Sequence, residues 1–496
     1  MLTADQPYEA VIGLEVHCQL LTETKAFSPE SAAFGADANT RIDPVSLAHP
    51  GTLPVMNEKV VEFAVRIGLA TRCHIAPVAE FARKQYFYPD LPKGYQISQY
   101  DTPLCYGGVV EIDVEDEYGS ERKQIGLTRI HIEEDAGKSL HDQDPVDTLL
   151  DFNRCGVPLI EIVSEPDLRS PREASLFVQK IRQIVRYLGI CDGNMEEGSL
   201  RCDANVSVRK AGDTALGTKT EVKNINSFRN VERALEYEIS RQIRLVDKGE
   251  KVVQETRLWD ASRSETRSMR TKEEEHDYRY FPDPDLVPVI VDEAMRAAIL
   301  ADLPEMPDAR RERYVRDLGL PVYDAGVLTE ERSVAEYFES VFEALRTIEP
   351  DADLREHAKA VSNVVMTDVL RSLKSRPVTD EGFPIEPGRL AHLISMRLAD
   401  KISSSGAQQL FDAMISTSMD PESLAAEMKL LQISDEGALV PVIDEVIAEH
   451  PKQLAQYRAG KQSLIGFFIG QVMRRFEGAP DPQVVRALLV DRLSDT

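Results

Sequence analysis

The chain has 496 residues, and its 58 Lys plus Arg stand against 84 Asp plus Glu, which gives a formal net charge of −26. This length predicts about three domains. A hydrophobic content of 42% with 29% charged residues is typical of a folded globular protein. The charge excludes a uniformly basic nucleic-acid binder, so any bound nucleic acid must be held by local basic patches.

Membrane proteins and disulfide-rich proteins are classes that the sequence disfavours. No stretch approaches the roughly 20 apolar residues of a membrane span, and the first residues lack the basic and then apolar pattern of a signal peptide. We therefore expect a cytoplasmic protein with no membrane partner. The six cysteines form no C-x-x-C pair, which predicts reduced, buried thiols rather than a disulfide framework or a four-cysteine zinc site.

Hydrophobic periodicity predicts an α+β protein, with mixed strand and helix patterns first and helical patterns afterwards. The predicted domains cover residues 1–291, 292–402 and 403–496. The predicted helices cover residues 57–70, 170–190, 292–302, 330–346, 356–374 and 388–402. Two helix starts are marked by a capping residue followed by proline, Ser170 before Pro171 and Asp420 before Pro421.

The most informative strand lies near the start of the chain. Residues 11–20 alternate strictly, so a strand here buries one parity and presents Glu15 and His17 together on the other face. Two residues along a strand span roughly 6.6 Å, a spacing at which a carboxylate and an imidazole can share one metal ion. A solvated strand face is the alternative for this segment taken alone.

Two further segments, residues 200–208 and 219–223, alternate in the same way and flank a loop with two glycines. They are predicted to form a hairpin with one polar face. The side chains on that face are two acids, an amide and three bases: Asp203, Glu221, Asn205, Arg201, Lys219 and Lys223. The basic members suit phosphate oxygens or a second carboxylate.

Three more acidic residues complete the candidate set. The apolar parity changes between Leu127 and Ile130, which indicates a bulge or a strand end between them. The pattern therefore leaves open whether Glu133 or Glu134 joins the polar face. Glu161 lies inside an apolar strand, where an unpaired carboxylate is unfavourable, so it needs a partner.

Carboxylates that converge on one sheet face repel each other unless cations are present. A divalent cation such as Mg²⁺ or Mn²⁺ removes this repulsion, and oxygen ligands with one imidazole suit these ions. Acids, a metal ion and bases on one surface favour phosphoryl transfer from ATP to a carboxylate. An ion-pair network on an exposed sheet is the alternative.

Long motifs run along the chain. They are V-I-G-L-E-V-H at 11–17, R-K-Q-Y-F-Y-P-D at 83–90, K-G-Y-Q-I-S-Q-Y at 93–100, H-I-E-E-D-A-G-K at 131–138, M-E-E-G-S-L-R-C-D-A-N at 195–205, T-K-T-E-V-K-N-I-N-S-F at 218–228, D-Y-R-Y-F-P-D-P-D at 277–285 and G-K-Q-S-L-I-G-F-F-I-G-Q-V-M at 460–473. On these motifs the sequence resembles the GatB family, the B subunits of aspartyl/glutamyl-tRNA(Asn/Gln) amidotransferases, over essentially its whole length.

The resemblance implies a glutamine-synthetase-like β-sheet cradle domain, a helical domain and a helical tail. It also implies a glutamine-hydrolysing carbon–nitrogen ligase that uses ATP to phosphorylate misacylated Glu-tRNA(Gln), Asp-tRNA(Asn) or both. Ammonia then displaces the phosphate to give the amide. The implied partners are a glutaminase (the A subunit), which supplies the ammonia, and a small C subunit, in a heterotrimer that binds misacylated tRNA.

The resemblance also implies roles for particular residues. Its metal and ATP site comprises Glu15, His17, Glu134, Asp203 and Glu221, with Glu161 as a further metal candidate. Of these, Glu134, Asp203 and Glu221 are the expected catalytic residues, and Glu134 is preferred over its neighbour on the resemblance alone. The expected ATP or substrate contacts are Lys84, Lys93 and Arg201, to which the strand pattern adds Lys219. ATP and Mg²⁺ or Mn²⁺ are the expected cofactors, and zinc is not expected because residues 26–51 contain no cysteine.

A basic stretch without acids covers residues 452–475, in a chain that is otherwise strongly acidic. It predicts a local tRNA-backbone contact through Lys452, Arg458, Lys461, Arg474 and Arg475. A basic face on an ordinary helix pair is the alternative, and the aromatic residues of the stretch are expected in a core. Two other functions stay open: a non-catalytic tRNA-binding scaffold, and a free-standing carboxylate–ammonia ligase that acts on a small molecule.

Overall fold

The structure is a computed structural model that describes residues 7–116, 119–141, 143–271, 278–373 and 382–494. The chain forms two compact units, Met1–Pro307 and Asp308–Thr496. The first unit combines a large sheet with helices and the second is helical, which confirms the predicted α+β class. Among the described residues, no helix is both long and apolar enough to cross a membrane.

The first unit contains most of the strands of the chain. They are β1 (Tyr8–Gln19), β2 (His74–Ile75), β3 (Val78–Ala79), β4 (Ala82–Gln85), β5 (Tyr95–Ser98), β6 (Cys105–Tyr106), β7 (Val109–Asp116), β8 (Gly119–Glu134), β9 (Lys138–Leu140), β10 (Leu149–Asp151), β11 (Pro158–Ser164), β12 (Leu200–Lys210), β13 (Thr220–Ile225), β14 (Glu255–Asp260), β15 (Glu265–Thr271), β16 (Phe281–Pro282) and β17 (Val289–Ile290). Its helices are α1 (Glu58–Ala70), α2 (Pro171–Tyr187), α3 (Phe228–Asp247) and α4 (Glu293–Ala301).

One large sheet organises this unit. In the described part of the chain it has ten strands in the order β15-β14-β13-β12-β1-β11-β8-β6-β2, and β7 pairs with β8 beside this path. Neighbouring strands are antiparallel except β13 and β14, which are parallel. The strand β1 therefore lies inside the sheet, between β11 and β12. A smaller sheet of β16, β4 and β5 lies in the same unit.

Helices α2 and α3 cover the apolar face of the large sheet. Phe177 and Ile181 of α2 and Leu235 of α3 are buried in the same core as Ile12 and Leu14 of β1. Each such side chain contributes about 1.5–3 kcal/mol when it is fully buried. The helices pack on the face that carries the even-numbered residues of β1, so Glu15 and His17 lie on the opposite face.

The second unit is built from helices and one short strand pair. Its elements are α5 (Pro307–Leu318), α6 (Val322–Leu328), α7 (Arg332–Ile348), α8 (Leu354–Val364), a π-helical turn (Val365–Val369), α9 (Leu370–Leu373), α10 (Pro387–Leu398), α11 (Ser404–Met414), α12 (Pro421–Glu427), β18 (Gln432–Ile433), α13 (Glu436–Glu449), α14 (Pro451–Arg458), a 3₁₀ turn (Gln462–Leu464), α15 (Ile465–Arg475), β19 (Ala479–Pro480) and α16 (Pro482–Ser494). One core takes residues from Tyr314 to Ala425, and another takes residues from Leu439 to Leu493.

The boundaries of the hydrophobic cores differ from the boundaries of the predicted domains. Helix α4 packs against the first core through Ile299, so the first unit continues past residue 291 to Pro307. Helices α11 and α12 add Leu410 and Leu424 to the middle core, which therefore continues beyond residue 402. The apolar faces of these helices decide the boundary, and periodicity alone does not show which core each face meets.

Most predicted elements in the described residues have a counterpart. The Ser170 side chain accepts a hydrogen bond from the Glu173 amide and begins α2, and Asp420 does the same for α12. The helix predicted at 356–374 is divided by the π-helical turn, and its last residue lies outside the described residues. The longest helix of the first unit, α3, was not predicted. All six cysteines are free and buried, as expected.

Candidate active site

The register of the sheet brings the acidic strand faces together. His17 on β1 lies opposite Glu161 on β11, and Glu161 lies opposite His131 on β8. On the other side of β1, Glu15 lies opposite Asp203 of β12. Because side chains alternate along a strand, these residues project from the face that the helices leave uncovered. The predicted hairpin is also confirmed, since β12 and β13 are antiparallel neighbours.

His17, Glu133 and Glu161 form a first ligand group. Their ligand atoms all lie within 4.8 Å of one another, which is close enough to hold one metal ion. The His17 Nε2 atom is 3.3 Å from Glu161 Oε2, which supplies the partner that Glu161 needs inside its apolar strand. Behind them, His131 Nε2 lies 3.3 Å from Glu133 Oε1 and 3.7 Å from Glu161 Oε2.

Electrostatics keep the two carboxylates of this group ionised. Burial raises the pKa of Glu161, but the hydrogen bond with His17 and the charge of His131 outweigh burial and bring this pKa to about 2. Burial also opposes ionisation of Glu133, yet the Lys84 ammonium and His131 hold its pKa well below the usual range. Both groups therefore stay anionic at neutral pH, which is the form that binds a cation.

Glu15, Asp203 and Glu221 form a second ligand group on the same face. Their carboxylate oxygens also lie within 4.8 Å of one another. The Lys223 ammonium bridges two of them, at 2.6 Å from Asp203 Oδ2 and 2.8 Å from Glu221 Oε1. Burial and then the charge of Glu161 raise the pKa of Glu15, while Lys223 acts in the opposite direction. Asn205 donates a hydrogen bond of 3.0 Å to Glu15.

Glu133, rather than the expected Glu134, joins these groups. The Glu134 side chain is buried, forms an ion pair with Lys93 and accepts a hydrogen bond of 3.0 Å from the Ile97 amide. It is a member of neither ligand group. The reason is the irregularity in the pairing of β8 with β11, which lies between Arg129 and Leu127 and resets the parity, so that odd-numbered residues after it face the site.

The four predicted ATP or substrate contacts lie at different distances from the ligand groups. Lys84 is adjacent to the first group, with its Nζ 3.9 Å from Glu133 Oε1. Arg201 lies opposite His17 and forms a 2.6 Å ion pair with Asp135. Lys93 is buried in its pair with Glu134. Lys219 precedes β13 and is exposed, and no contact joins it to either group among the described residues.

Several residues near the site were not predicted from the sequence. The Lys84 ammonium lies 5.1 Å from the ring centre of Tyr278, and Tyr280 stacks on Tyr100 at 4.1 Å. Burial, together with the charge of Glu133, outweighs the opposing charge of Lys84 and raises the pKa of Tyr280 to about 12. These tyrosines belong to motifs that the resemblance already marked, but strand parity says nothing about them. His131 and Glu133 are identifiable once the bulge is placed.

The basic stretch of the second unit lies on α14 and α15 and the turn between them. Lys452, Arg458, Lys461 and Arg474 are exposed. Arg475 is exposed too, but it pairs with acids of α13, at 2.5 Å from Glu449 and 3.2 Å from Glu445. Phe468 is fully buried and Phe467 packs against the same core, so the expected place of these aromatic residues is confirmed.

The chain thus has a first unit with a carboxylate-rich sheet face, followed in the sequence by a helical unit. Comparison with known families agrees with this description. The family model described as "GatB/GatE catalytic domain" matches residues 10–297, and the one described as "GatB domain" matches residues 342–493.

Several curated proteins are similar to this chain over nearly its full length. The chain is 57% identical over 496 residues to the B subunit of the aspartyl/glutamyl-tRNA(Asn/Gln) amidotransferase of Salinibacter ruber, covering 99% of this chain and 98% of that protein. The same name belongs to relatives from Chlorobaculum tepidum, 56% identical with 97% and 98% covered, and Thermodesulfovibrio yellowstonii, 52% identical with 98% and 100% covered. By class, the chain is thus one of the subunits of an amidotransferase. It belongs to the GatB family.

Proposed function

We propose that this chain activates and amidates misacylated Glu-tRNA(Gln), Asp-tRNA(Asn) or both. In the first step the terminal phosphoryl group of ATP is transferred to the side-chain carboxylate, which gives an acyl phosphate and ADP. In the second step ammonia forms the C–N bond, the C–O bond to phosphate breaks, and the departing phosphate takes up the surplus proton. The observation that carries this proposal is the pair of ligand groups on one sheet face of a GatB-family catalytic domain.

The donor atoms of both groups fit divalent metal ions. The second group offers only carboxylate oxygens, which suit Mg²⁺. The first group adds the His17 imidazole to two carboxylates, a set that suits Mn²⁺ as well as Mg²⁺. Bound there, divalent ions would neutralise the charge of the phosphates during transfer.

The protein's own cations support the same chemistry. Lys84 lies beside the first group and Lys223 beside the second, so the site combines anionic ligands with fixed positive charge. Each lysine thereby offsets part of the negative charge of its group even before a nucleotide binds. Asp203 and Glu221 remain the proposed catalytic ligands, and Glu133 takes the place proposed for Glu134. Arg201 is proposed to orient the substrate from the edge next to His17.

The second unit is proposed to hold the tRNA. Four exposed basic residues on α14, α15 and the turn between them offer cations to a phosphate backbone. The names of the relatives refer to the B subunit of an amidotransferase, from which we infer a complex with a glutaminase, the A subunit, and a small C subunit. The glutamine-synthetase-like arrangement of the cradle and a cytoplasmic location stay predictions.

The proposal is tested by amide formation in the complex reconstituted with its partner subunits. Glu-tRNA(Gln), ATP, Mg²⁺ and ammonium are supplied, so that the result does not depend on glutamine hydrolysis. Glu15→Gln is expected to lower the rate by more than about 100-fold, because even outer-shell substitutions at metal sites weaken function about 10–100-fold. Glu9→Gln is the matched control, since Glu9 lies on the same strand and pairs with Arg209 and Arg169 instead.

The competing functions give different results in this assay. If the chain is only a tRNA-binding scaffold, another protein of the complex forms the amide. The rate of amide formation is then expected to be the same for Glu15→Gln and Glu9→Gln. A small-molecule ligase predicts turnover without tRNA and no dependence on the exposed basic residues of α14 and α15. Equal rates for Glu15→Gln and the wild type would therefore refute the proposed site.

A further inference from the structure

Besides Arg201, the acidic face of the sheet carries a second arginine, Arg129. Arg129 lies on β8, two residues before His131, and pairs with Val163 of β11 on one side and Tyr106 of β6 on the other. Ile130 and Ile132 of the same strand are fully buried in the core. Arg129 therefore has the parity of His131 and projects from the face that carries the ligand groups.

The guanidinium of Arg129 has no partner among the residues that the structure describes. Its Nε atom is buried and donates to no hydrogen-bond acceptor among the described residues. No carboxylate of the described residues lies within ion-pair distance of Arg129. By contrast, three other cations near the ligand groups each pair with an acid: Lys84 with Glu133, Arg201 with Asp135 and Lys223 with Asp203.

The sheet register places Arg129 near Glu15 of the second ligand group. Val163 separates it from Glu15 in one row across the sheet, and adjacent strands are about 4.8 Å apart, so the Cα atoms of Arg129 and Glu15 are roughly 10 Å apart. The intervening Val163 is short and apolar. An anion above Val163 would meet a guanidinium on one side and metal-ligating carboxylates on the other.

A partly buried guanidinium without an anion is energetically unfavourable, because its desolvation is not compensated. The planar fork of arginine matches two oxygens of a phosphoryl or carboxylate group. We propose that Arg129 binds an oxyanion of the phosphoryl-transfer reaction, either on the terminal phosphoryl group of ATP or on the acceptor carboxylate. This inference rests on the proposed function and assigns a further substrate-binding residue to it.

The test uses Arg129→Ala and Arg129→Lys in the reconstituted complex, with the ammonium-dependent assay. Arg129→Ala is expected to slow amide formation by about 100- to 1,000-fold, the usual effect of removing one donor to a developing oxyanion. Arg129→Lys keeps the positive charge but loses the two-pronged guanidinium. Its rate is therefore expected to lie between those of the wild type and Arg129→Ala. Guanidinium chloride at millimolar concentration is expected to raise the rate of Arg129→Ala at least about tenfold, a rescue that a purely structural role would not give.

Arg122→Ala is the matched control. Arg122 lies on the same strand, seven residues away, and is ion-paired with Asp113 and Glu111. It is expected to keep the wild-type rate and to show no response to guanidinium. Thermal unfolding of all three variants checks that each is folded, and Arg129→Lys carries the test if Arg129→Ala does not fold.

Binding measurements separate the two sources of the oxyanion. A weaker Mg-ATP affinity without tRNA indicates the terminal phosphoryl group, and a raised KM for aminoacyl-tRNA with unchanged Mg-ATP affinity indicates the carboxylate. Either result supports the inference. A rate within threefold of the wild type for Arg129→Ala, or absence of guanidinium rescue, overturns it. The proposed function fails separately, if the wild-type complex forms no amide with ATP.

Discussion

Glu133 and Glu134 are adjacent in sequence but have different roles. Glu133 belongs to a ligand group, and Glu134 is the counter-ion of Lys93. The same substitution, glutamate to glutamine, distinguishes them with almost no change in side-chain volume. In Glu133→Gln the amide oxygen can still accept the 2.7 Å hydrogen bond from Ser98, but the first ligand group loses an anionic ligand. In Glu134→Gln the buried ammonium of Lys93 loses its counter-ion.

The magnitudes follow from burial and from ligand linkage. The Glu134 and Lys93 side chains are 2% and 5% exposed, and removal of one partner of a buried ion pair costs about 3–5 kcal/mol. For Glu133, a metal ion at 100 times its Kd stabilises the wild type by about 2.7 kcal/mol. If the substitution weakens binding about 100-fold, the same metal concentration stabilises the variant by only about 0.4 kcal/mol.

Thermal unfolding of the unit Met1–Pro307, measured with and without Mg²⁺ or Mn²⁺, checks both values. Glu134→Gln is expected to lower the midpoint by roughly 5–8 °C, since a unit of this length has a large unfolding entropy, and to keep the wild-type response to metal. Glu133→Gln is expected to lose most of that response and, in the reconstituted complex, nearly all amide formation. The reasoning is refuted if the phenotypes are exchanged, with Glu134→Gln losing the metal response and Glu133→Gln keeping it.

Three further predictions concern single contacts. Lys223→Met is expected to destabilise the metal-free first unit by about 1–3 kcal/mol, because two carboxylates lose a charged hydrogen-bond donor. Added Mg²⁺ should restore this stability. Urea unfolding with and without Mg²⁺ measures both effects, and no recovery with Mg²⁺ would contradict the prediction. Asp353→Ala is expected to cost about 1 kcal/mol, because Asp353 caps α8 through two backbone amides. Glu386→Ala is the control, because the exposed Glu386 makes no side-chain cap hydrogen bond at α10, and it should leave the calorimetric transition of the second unit nearly unchanged. Lys461→Ala is expected to reduce the slope of log binding constant against log salt concentration, for tRNA binding, by about 0.9. Arg475→Ala is expected to reduce this slope by less, because Glu449 and Glu445 already neutralise Arg475. Equal effects of the two substitutions would contradict the proposed tRNA contact.

Strand alternation was sufficient to find most of the candidate site. It placed Glu15 and His17 on one face and Asp203 and Glu221 on another, and the sheet register joins these faces. Glu161 was marked by its chemistry, as a carboxylate in an apolar strand, and its partner proved to be His17. Local patterns succeed here because each strand buries one side and therefore fixes the direction of the other.

The remaining features depend on contacts that are distant in the sequence. The sequence indicates a bulge or a strand end between Leu127 and Ile130, but only the pairing of β8 with β11 shows that one strand continues through an irregularity there, which decides between Glu133 and Glu134. The domain boundaries depend on which core the faces of α4, α11 and α12 meet. Lys219 shares the parity of Glu221, but it precedes the first paired residue of β13, where alternation no longer governs direction.

A single strand, β1, contributes to both ligand groups, because Glu15 belongs to one and His17 to the other. The distance between the groups is consequently set by the covalent repeat of an extended backbone, and not by how two separate elements happen to dock. Substitutions that loosen the core would be expected to tilt the individual side chains while leaving the spacing of the two centres unchanged. Slippage of β1 by one residue would turn both ligands into the core together, so the two centres are present or lost as one.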